Sequence, residues 1–270
     1  MDDPALRSVE IDGHVVAYRQ AGQGPALVLL HGFLSDSRCW RQQLSQLSDQ
    51  FMVIAWDAPG AGASSDPPET FTTKSYVRCL AGFLDALEIE RPHILGLSWG
   101  GILAQEFYRA FGDRVRSLIL ADTYAGWRGS LPEPLWRERL ETCLQDADGP
   151  PNALVGKFLP GLFTDAAPQG LKDEAAALIA GFHPVGFRLM SLSSAEVDTR
   201  DLLPRIAAPT LVLWGDDDRR SPLRVAEQFH AAIPGSQLAI IEKAGHVSNM
   251  EQPEAFNGHV RRFLRALAAG

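Results

Sequence analysis

Cysteine is scarce in this sequence. Only Cys39, Cys79 and Cys143 occur among 270 residues, and no two of them form a CxxC pair. An odd, widely spaced set argues against a disulfide framework or a zinc site and favours reduced thiols. Reduced thiols indicate a cytoplasmic location. Because an H-x-x-x-H pair is missing as well, we expect no metal.

Long apolar runs and blocks of like charge are also missing. No stretch approaches the roughly 20 apolar residues that a membrane span needs. The acidic start, MDDPALRSVE, lacks the hydrophobic run of a signal peptide. The net charge of −8 comes from 33 acidic and 25 basic residues spread along the chain. This balance argues against nucleic acid and anionic membranes as partners, so the expected partner is a small molecule. The oligomeric state stays open.

Short apolar segments alternate with helical patterns along most of the chain. Six apolar runs suit strands that are buried on both faces of a parallel sheet. They cover residues 26–30, 51–56, 93–97, 115–121, 210–214 and 238–241. The helical patterns cover residues 40–48, 73–89, 99–111, 222–233 and 252–268. Together with a hairpin signal at Asp12-Gly13, this order predicts an α/β fold, in which a mostly parallel sheet carries helices on both faces and opens with an antiparallel hairpin.

One long segment interrupts the alternation. Residues 123–204 show no convincing strand but contain several helical pieces separated by prolines. Such a segment is too long for a plain loop. We therefore expect a helical cap subdomain at 123–204, inserted into a core of residues 1–122 and 205–270.

The predicted cap contains many aromatic and basic residues, most of which should pack within it or face solvent. The predicted substrate contacts are Trp127, Trp136 and Phe187, with Phe158, Phe182 and Met190 as further candidates. Arginines that can face a substrate carboxylate are Arg128, Arg137 and Arg188, of which at least two should lie in solvent. Apolar side chains of a cap over a reactive centre exclude water and select the substrate.

The pentapeptide Gly96-Leu97-Ser98-Trp99-Gly100 fits the pattern G-x-S-x-G and lies between a predicted strand and a predicted helix. A nucleophile elbow requires that context. Side chains at 96 and 100 would collide with neighbouring backbone in so tight a turn, and the helix start favours negative charge near the hydroxyl. Ser98 is therefore the predicted nucleophile. The alternative is a glycine-rich turn with an incidental serine.

A serine hydroxyl is a weak nucleophile and needs a base within hydrogen-bond reach. The order serine, acid, histidine that accompanies such an elbow leaves three candidates, His230, His246 and His259. His230 and His259 fall inside helical patterns, where a surface role is expected. His246 follows the predicted strand 238–241 in a loop at the carboxyl edge of the sheet, so it is the predicted base.

The acid that orients this base should follow the preceding strand, where Gly215 leads into three consecutive aspartates. We predict Asp218, because the third residue after the glycine should lie over the sheet edge. Asp216 and Asp217 are then expected to be solvated turn or N-cap residues. A rival is Asp122, which ends the predicted strand 115–121 and can approach His246 from the neighbouring strand.

The tetrahedral intermediate of acyl transfer carries a negative oxygen that needs two backbone N–H donors. The N–H of Trp99 is the first predicted donor. The second is the N–H of Phe33, in the loop that follows strand 26–30. His31 should brace this loop by hydrogen bonds, and Asp57 should hold the turn at residues 59–62.

Five motifs spread along nearly the whole chain resemble the α/β-hydrolase superfamily. They are His31-Gly32, the turn at 57–62, the elbow at 96–101, residues 215–218 and Gly245-His246. Within the superfamily, residues 96–101 and 246–253 are similar to the esterase and enol-lactonase branch, notably 3-oxoadipate enol-lactonases. The resemblance implies hydrolysis of a small ester or lactone without a cofactor. Ser98 departs from haloalkane dehalogenases and epoxide hydrolases, which carry aspartate there, and the loop after His31 has fewer Gly and Pro residues than that of proline iminopeptidases.

The expected activity is that of a serine hydrolase that cleaves a carboxylic ester or lactone. Three alternatives stay open. Two use the same fold: a carbon–carbon bond hydrolase acting on diketones, with the same triad, and a cofactor-free perhydrolase. The third is of another class, a ligand-binding receptor on a hydrolase scaffold.

Overall fold

Eight strands form a single sheet in the computed structural model, which describes residues 4–269. Their order across the sheet is β1-β2-β4-β3-β5-β6-β7-β8. The strands are β1 (Leu6–Ile11), β2 (His14–Ala21), β3 (Ala26–Leu30), β4 (Met52–Trp56), β5 (His93–Leu97), β6 (Ser117–Ala121), β7 (Thr210–Gly215) and β8 (Gln237–Ile241). All pairs from β4 through β8 are parallel, whereas β2 runs antiparallel to both β1 and β4. The mostly parallel sheet predicted from the sequence is confirmed.

The opening hairpin turns at Asp12 and Gly13, as predicted. Both residues have positive φ angles, 49° and 81°. Two consecutive positive φ angles define the two-residue turn whose twist matches that of the flanking strands. Ile11 and His14 are the last paired residues on either side of it.

Helices cover both faces of this sheet. Those of the core are α1 (Arg41–Leu47), α2 (Thr73–Ala86), α3 (Trp99–Phe111), α9 (Leu223–Ala232), α10 (Ser248–Glu251) and α11 (Pro253–Ala269). Strands β5, β6 and β7 are buried along their whole length. Such strands need apolar residues at every position, which explains the continuous apolar runs in the sequence.

Five helices fill the chain between β6 and β7. They are α4 (Trp127–Ser130), α5 (Glu133–Asp146), α6 (Ala153–Phe158), α7 (Gln169–Ala180) and α8 (Pro184–Glu196). The fold thus has the predicted inserted helical cap, which leaves the core at the carboxyl end of β6. Gly186 of α8 packs directly against Gly60, and a Cβ atom on either glycine would overlap the other residue's backbone. This contact docks the cap on the loop after β4.

No single helix within residues 4–269 is both long and apolar enough to cross a membrane. One bent pair, α7 with α8, reaches the necessary length and composition, and its two helices meet at 96°. Both helices bury a face against the rest of the molecule, including Leu178, Ile179 and Met190.

Candidate active site

Ser98 lies at the tight turn between β5 and α3. Its φ of 52° and ψ of −116° are a strained conformation for a residue with a side chain, which typically costs about 1–3 kcal/mol. A Cβ at Gly96 would overlap the carbonyl oxygen of Gly100, and one at Gly100 would overlap that of Leu30. The two glycines therefore permit the turn for the steric reason predicted. The backbone N–H of Ser98 donates to Ala121 of β6 at 2.9 Å, which fixes the turn to the neighbouring strand.

His246 lies in the loop after β8, and the structure brings it to Ser98. Its Nε2 atom is 2.8 Å from Ser98 Oγ. Its Nδ1 atom is 2.8 Å from Asp218 Oδ2. Because a carboxylate can only accept, Nδ1 carries the proton and Nε2 is left to accept from the serine hydroxyl. All three residues are at least 94% buried, so bulk water competes little for these bonds.

Asp218 is oriented by its own backbone turn. Its Oδ1 atom accepts the N–H groups of Arg220 and Ser221, each at 2.8 Å, and this leaves Oδ2 for His246. The neighbouring aspartates have other partners: Asp216 accepts the N–H of Ala244, and Asp217 forms an exposed ion pair with Arg219. Of the three consecutive carboxylates, the structure thus directs Asp218 to the histidine.

A second carboxyl, that of Asp122, is fully buried beside this group. Its Oδ1 atom accepts the N–H of Gly215 at 2.8 Å, and its other oxygen bonds to the hydroxyl of Ser248. Burial raises the pKa of Asp122 well above its usual range, and the nearby charge of Asp218 raises it further. Its hydrogen bonds join the ends of β6 and β7 to the His246 loop.

The loop after β3 is braced by two buried side chains. His31 donates from Nδ1 to the carbonyl of Gly32 at 2.8 Å and accepts the N–H of Ala58 at Nε2, at 3.0 Å. Burial lowers the pKa of His31, which keeps the ring neutral and lets it do both. Asp57 accepts the N–H groups of Ser37 and Ala63. The bracing roles predicted for His31 and Asp57 are confirmed.

Phe33 and Trp99, the predicted donors, flank the serine from two elements. In the described chain, neither backbone N–H donates to a protein acceptor. Leu34, the next residue after Phe33, has a φ of 57°, so the loop is held in a strained conformation. An N–H group without a protein acceptor is available to an anionic oxygen.

A cavity of about 80 Å³ opens onto Ser98 and His246. Core residues Gly32, Leu97 and Val247 line its base, and cap residues including Trp127, Phe158 and Leu162 line its other walls. Its walls are mostly apolar. Tyr124 is an exception, and its hydroxyl accepts the ring N–H of Trp127 at 3.3 Å.

The structure corrects two of the three predicted substrate contacts. Trp127 lines the cavity, but Trp136 and Phe187 do not. Phe187 is 1% exposed and stacks on Phe33 with ring centroids 5.1 Å apart, so it lies behind the loop and not at the cavity surface. Trp136 is half-buried on α5, with the guanidinium of Arg137 4.6 Å from its ring centroid.

The arginines proposed to face a carboxylate also lie elsewhere. Arg137 pairs with Glu133 and Arg188 with Asp148, while Arg128 is exposed. Sequence reasoning missed the two arginines that do line the cavity, Arg139 of α5 and Arg220.

Glu251 is a further residue that the sequence did not single out. It accepts the N–H of Gly245 at 2.8 Å and both the N–H and the hydroxyl of Thr164, in the cap. It therefore ties the cap to the histidine loop. Its one signal in the sequence was its place shortly after His246. Across residues 4–269, no group of three or more His, Cys, Asp or Glu side chains is arranged to hold a metal ion.

The family to which this fold and site belong follows from comparison with known proteins. A family model described as the alpha/beta hydrolase family matches residues 27–259. The chain therefore belongs to the α/β-hydrolase family, which confirms the resemblance seen in the sequence.

Relatives of different activity are similar over nearly the whole chain. The chain is 29% identical to 3-oxoadipate enol-lactonase 2 of Acinetobacter baylyi over 253 residues, or 92% of each protein. It is 33% identical to the 2-hydroxy-6-oxononadienedioate/2-hydroxy-6-oxononatrienedioate hydrolase of Paraburkholderia xenovorans, across 96% of this chain and 94% of that one. A solved malate-bound structure of a thermophilic esterase from Thermogutta terrifontis has a TM-score of 0.89 at 32% identity and covers 96% and 97% of the two chains.

Proposed function

We propose that the protein is a serine hydrolase that cleaves a small carboxylic ester or lactone through an acyl-enzyme on Ser98. The observation that carries the proposal is the buried hydrogen-bonded chain from Ser98 through His246 to Asp218, at the base of a cavity. The family and its esterase and enol-lactonase relatives support the same chemistry. No cofactor enters this scheme. The cytoplasmic location stays a prediction.

In the first half-reaction the hydroxyl of Ser98 attacks the substrate carbonyl. His246 takes the hydroxyl proton on Nε2 and becomes positively charged, and Asp218 stabilises that charge through its bond to Nδ1. The carbonyl oxygen becomes an anion that accepts the N–H groups of Phe33 and Trp99. The N-terminus of α3, which begins at Trp99, adds a favourable field.

Collapse of this intermediate breaks the bond to the leaving oxygen. His246 gives its proton to that oxygen, and the acyl group stays on Ser98 as an ester. Water then attacks the acyl-enzyme with His246 as base, and the second intermediate releases the acid and restores the hydroxyl. In a lactone the leaving alcohol and the acid belong to one molecule, so the ring opens in the first half-reaction.

The cavity supports a small substrate. Its volume of about 80 Å³ and its mostly apolar walls suit a short acyl chain or a small ring. Water that enters after the leaving group departs has direct access to Ser98 because the serine lines the cavity.

The second candidate is hydrolysis of a carbon–carbon bond in a vinylogous diketone. The similarity to the Paraburkholderia hydrolase, at 33% identity, favours it. A diketone hydrolase would turn over such a substrate and show little activity on esters. A ligand-binding receptor, the third alternative, would show one slow turnover with tight product retention.

The test of the proposal is Ser98→Ala, assayed on 4-nitrophenyl butyrate and on a five-membered lactone. We expect the loss of several powers of ten in kcat, because no other nucleophile is bonded to His246. A fluorophosphonate probe should label the wild type at Ser98 and leave the variant unlabelled. Wild-type protein that hydrolyses neither compound, or a variant that retains substantial activity, contradicts the proposal.

A further inference from the structure

Two guanidinium groups line the same cavity as the serine and histidine. They belong to Arg139, on α5 of the cap, and to Arg220, two residues after Asp218. Within residues 4–269 no aspartate or glutamate lines this cavity. Its formal charge is therefore positive, although the chain as a whole carries a net charge of −8.

Arg220 is held in place but not neutralised. Its Nη2 atom donates to the carbonyl oxygens of Phe158 and Pro160, the second at 2.9 Å, and these bonds fix the end of the side chain. Its Nε atom is buried and has no acceptor in the described chain. Burial lowers the pKa of Arg220 and the charge of Arg139 lowers it further, while Asp218 opposes both. Asp218 is already committed to His246.

Arg139 is largely exposed to solvent, but part of it lines the cavity beside Trp127. Its guanidinium carbon lies 5.1 Å from the centroid of the Trp127 ring, which is a favourable but weak cation–π contact. Its neighbour Arg137, on the same helix, pairs with Glu133. Across the described residues no ion pair joins Arg139 to an aspartate or glutamate, in contrast to Arg137.

Two like charges that share a mostly apolar cavity repel one another, and burial of a charge without a partner is unfavourable. The arrangement becomes favourable when an anion lies between them. The guanidinium of Arg139 offers a planar fork of donors that matches the two oxygens of a carboxylate. Arg220 keeps its Nε and Nη1 donors, because both Nη2 hydrogens are used by Phe158 and Pro160. Tyr124 adds a hydroxyl in the same cavity, and its proton is free to donate because its oxygen accepts from Trp127.

We propose that Arg139 and Arg220 form a carboxylate subsite, which selects esters or lactones that carry a free carboxylate away from the bond that is cleaved. This inference rests on the function proposed above and narrows its substrate class. The carboxylate is not the reacting group. It lies between the cap and the turn after Asp218, so the carbonyl at the other end of the substrate reaches Ser98.

The experiment uses two esters that differ only in charge, 4-nitrophenyl hydrogen adipate and 4-nitrophenyl methyl adipate. The quantity measured is the ratio of their kcat/KM values, acid over neutral, at pH 7.5. We expect a ratio of about ten or more for the wild type, since a charge-assisted pair contributes at least this much. The ratio should fall in 0.5 M NaCl, because Arg139 is exposed and its field is screened.

Arg139→Gln and Arg220→Gln should each lower this ratio about tenfold, mainly through a higher KM for the acid ester. Arg137→Gln is the matched control, since Arg137 lies on the same helix, carries the same formal charge and does not line the cavity. It should leave the ratio at the wild-type value. Arg220→Lys keeps the charge but loses the planar group that is fixed by Phe158 and Pro160, so its ratio should lie between those of the wild type and Arg220→Gln.

A wild-type ratio at or below one, or a ratio that neither glutamine variant changes, would overturn the subsite. Calorimetry with adipate separates this failure from failure of the proposed function. If the wild type hydrolyses neither ester but binds adipate, and Arg139→Gln weakens that binding about tenfold while Arg137→Gln does not, the subsite stands and the reaction is wrong. If esters are cleaved but adipate neither binds nor competes, the reaction stands and the subsite is wrong.

Discussion

Asp218→Asn is the substitution that tests the geometry of the site most directly. Asp218 Oδ1 accepts two backbone N–H groups, and Oδ2 accepts Nδ1–H of His246. Asparagine has only one oxygen. If that oxygen keeps the two N–H groups, the amide NH₂ faces Nδ1, and two donors confront each other. The histidine then moves its proton to Nε2, where it can no longer accept from Ser98.

The expected magnitude follows from this loss. The variant lacks both the base tautomer and the negative charge that stabilises the imidazolium, and the same change in a comparable triad costs about 10⁴ in kcat. Four powers of ten correspond to about 5.4 kcal/mol of transition-state stabilisation. Burial of the triad makes rescue by bulk water inefficient, because Asp218 is only 4% exposed.

Asp122→Asn is the matched control for this change. Asp122 is buried beside Asp218, but its oxygens accept from Gly215 and Ser248 and not from His246. Burial raises the pKa of Asp122, which favours the protonated form, and that form resembles an amide in its donor and acceptor pattern. Its replacement should change kcat/KM for 4-nitrophenyl butyrate by less than about threefold. Circular dichroism checks that both variants fold. Should Asp122→Asn abolish activity while Asp218→Asn retains it, the acid would have to be moved to the end of β6 and the tautomer argument abandoned.

Three further outcomes follow from the same contacts. Because the pKa of Asp122 is raised in the folded state, the unfolded chain loses this proton at a lower pH, above about pH 4, and the wild type becomes less stable as pH rises. In urea, the free energy of unfolding of Asp122→Asn relative to the wild type should therefore increase by up to about 1.4 kcal/mol per pH unit. A difference that does not change with pH would contradict this. Trp127→Ala should change the ranking of short, long and cyclic esters by kcat/KM, whereas Trp136→Ala should not. Phe187→Ala should lower the free energy of unfolding by about 3–5 kcal/mol and reduce kcat/KM for every substrate. Equal effects of all three variants would refute this division of roles. Glu251→Ala should lower the free energy of unfolding in urea by about 2 kcal/mol, because the N–H groups of Gly245 and Thr164 lose their acceptor. Glu254→Ala, at the exposed start of α11, is the control.

The strands could be predicted because burial leaves a direct mark on their composition. The predicted runs 26–30 and 93–97 coincide with β3 and β5. The run 115–121 began two residues too early, because pairing with β5 starts at Ser117. Helix α2 ends at Ala86 although its pattern continues to residue 89. The helix is followed by Glu88, which has a φ of 56°, a conformation that usually requires glycine or asparagine. Because neither residue is present there, the sequence does not indicate where the helix ends.

The triad could be predicted for a different reason: each member ends or closely follows a strand. Parallel strands present their carboxyl ends at one edge, so Ser98, Asp218 and His246 had to come together there. The arginines of the cavity follow no such rule. Arg139 reaches it because α5 packs against α8 within the cap, and Arg220 because its guanidinium bonds to the carbonyl oxygens of Phe158 and Pro160. These are long-range contacts that helical period and motif spacing do not encode.

Phe187 was predicted wrongly as a substrate contact because its long-range packing is not encoded in the sequence pattern either. Its contact in the structure is with Phe33, beside the candidate active site. The sequence placed a large aromatic in a cap, which predicts a substrate contact. In the structure Phe187 stacks on Phe33, and Phe158 packs edge-on against both rings. The backbone N–H of Phe33 is a proposed donor to the anionic intermediate, and the next residue, Leu34, has a φ of 57°. The cap therefore supports a strained loop at the point where the proposed reaction would develop charge. Substrate choice and rate are coupled in such an arrangement, because a substrate that displaces Phe158 also disturbs the packing that holds the Phe33 donor.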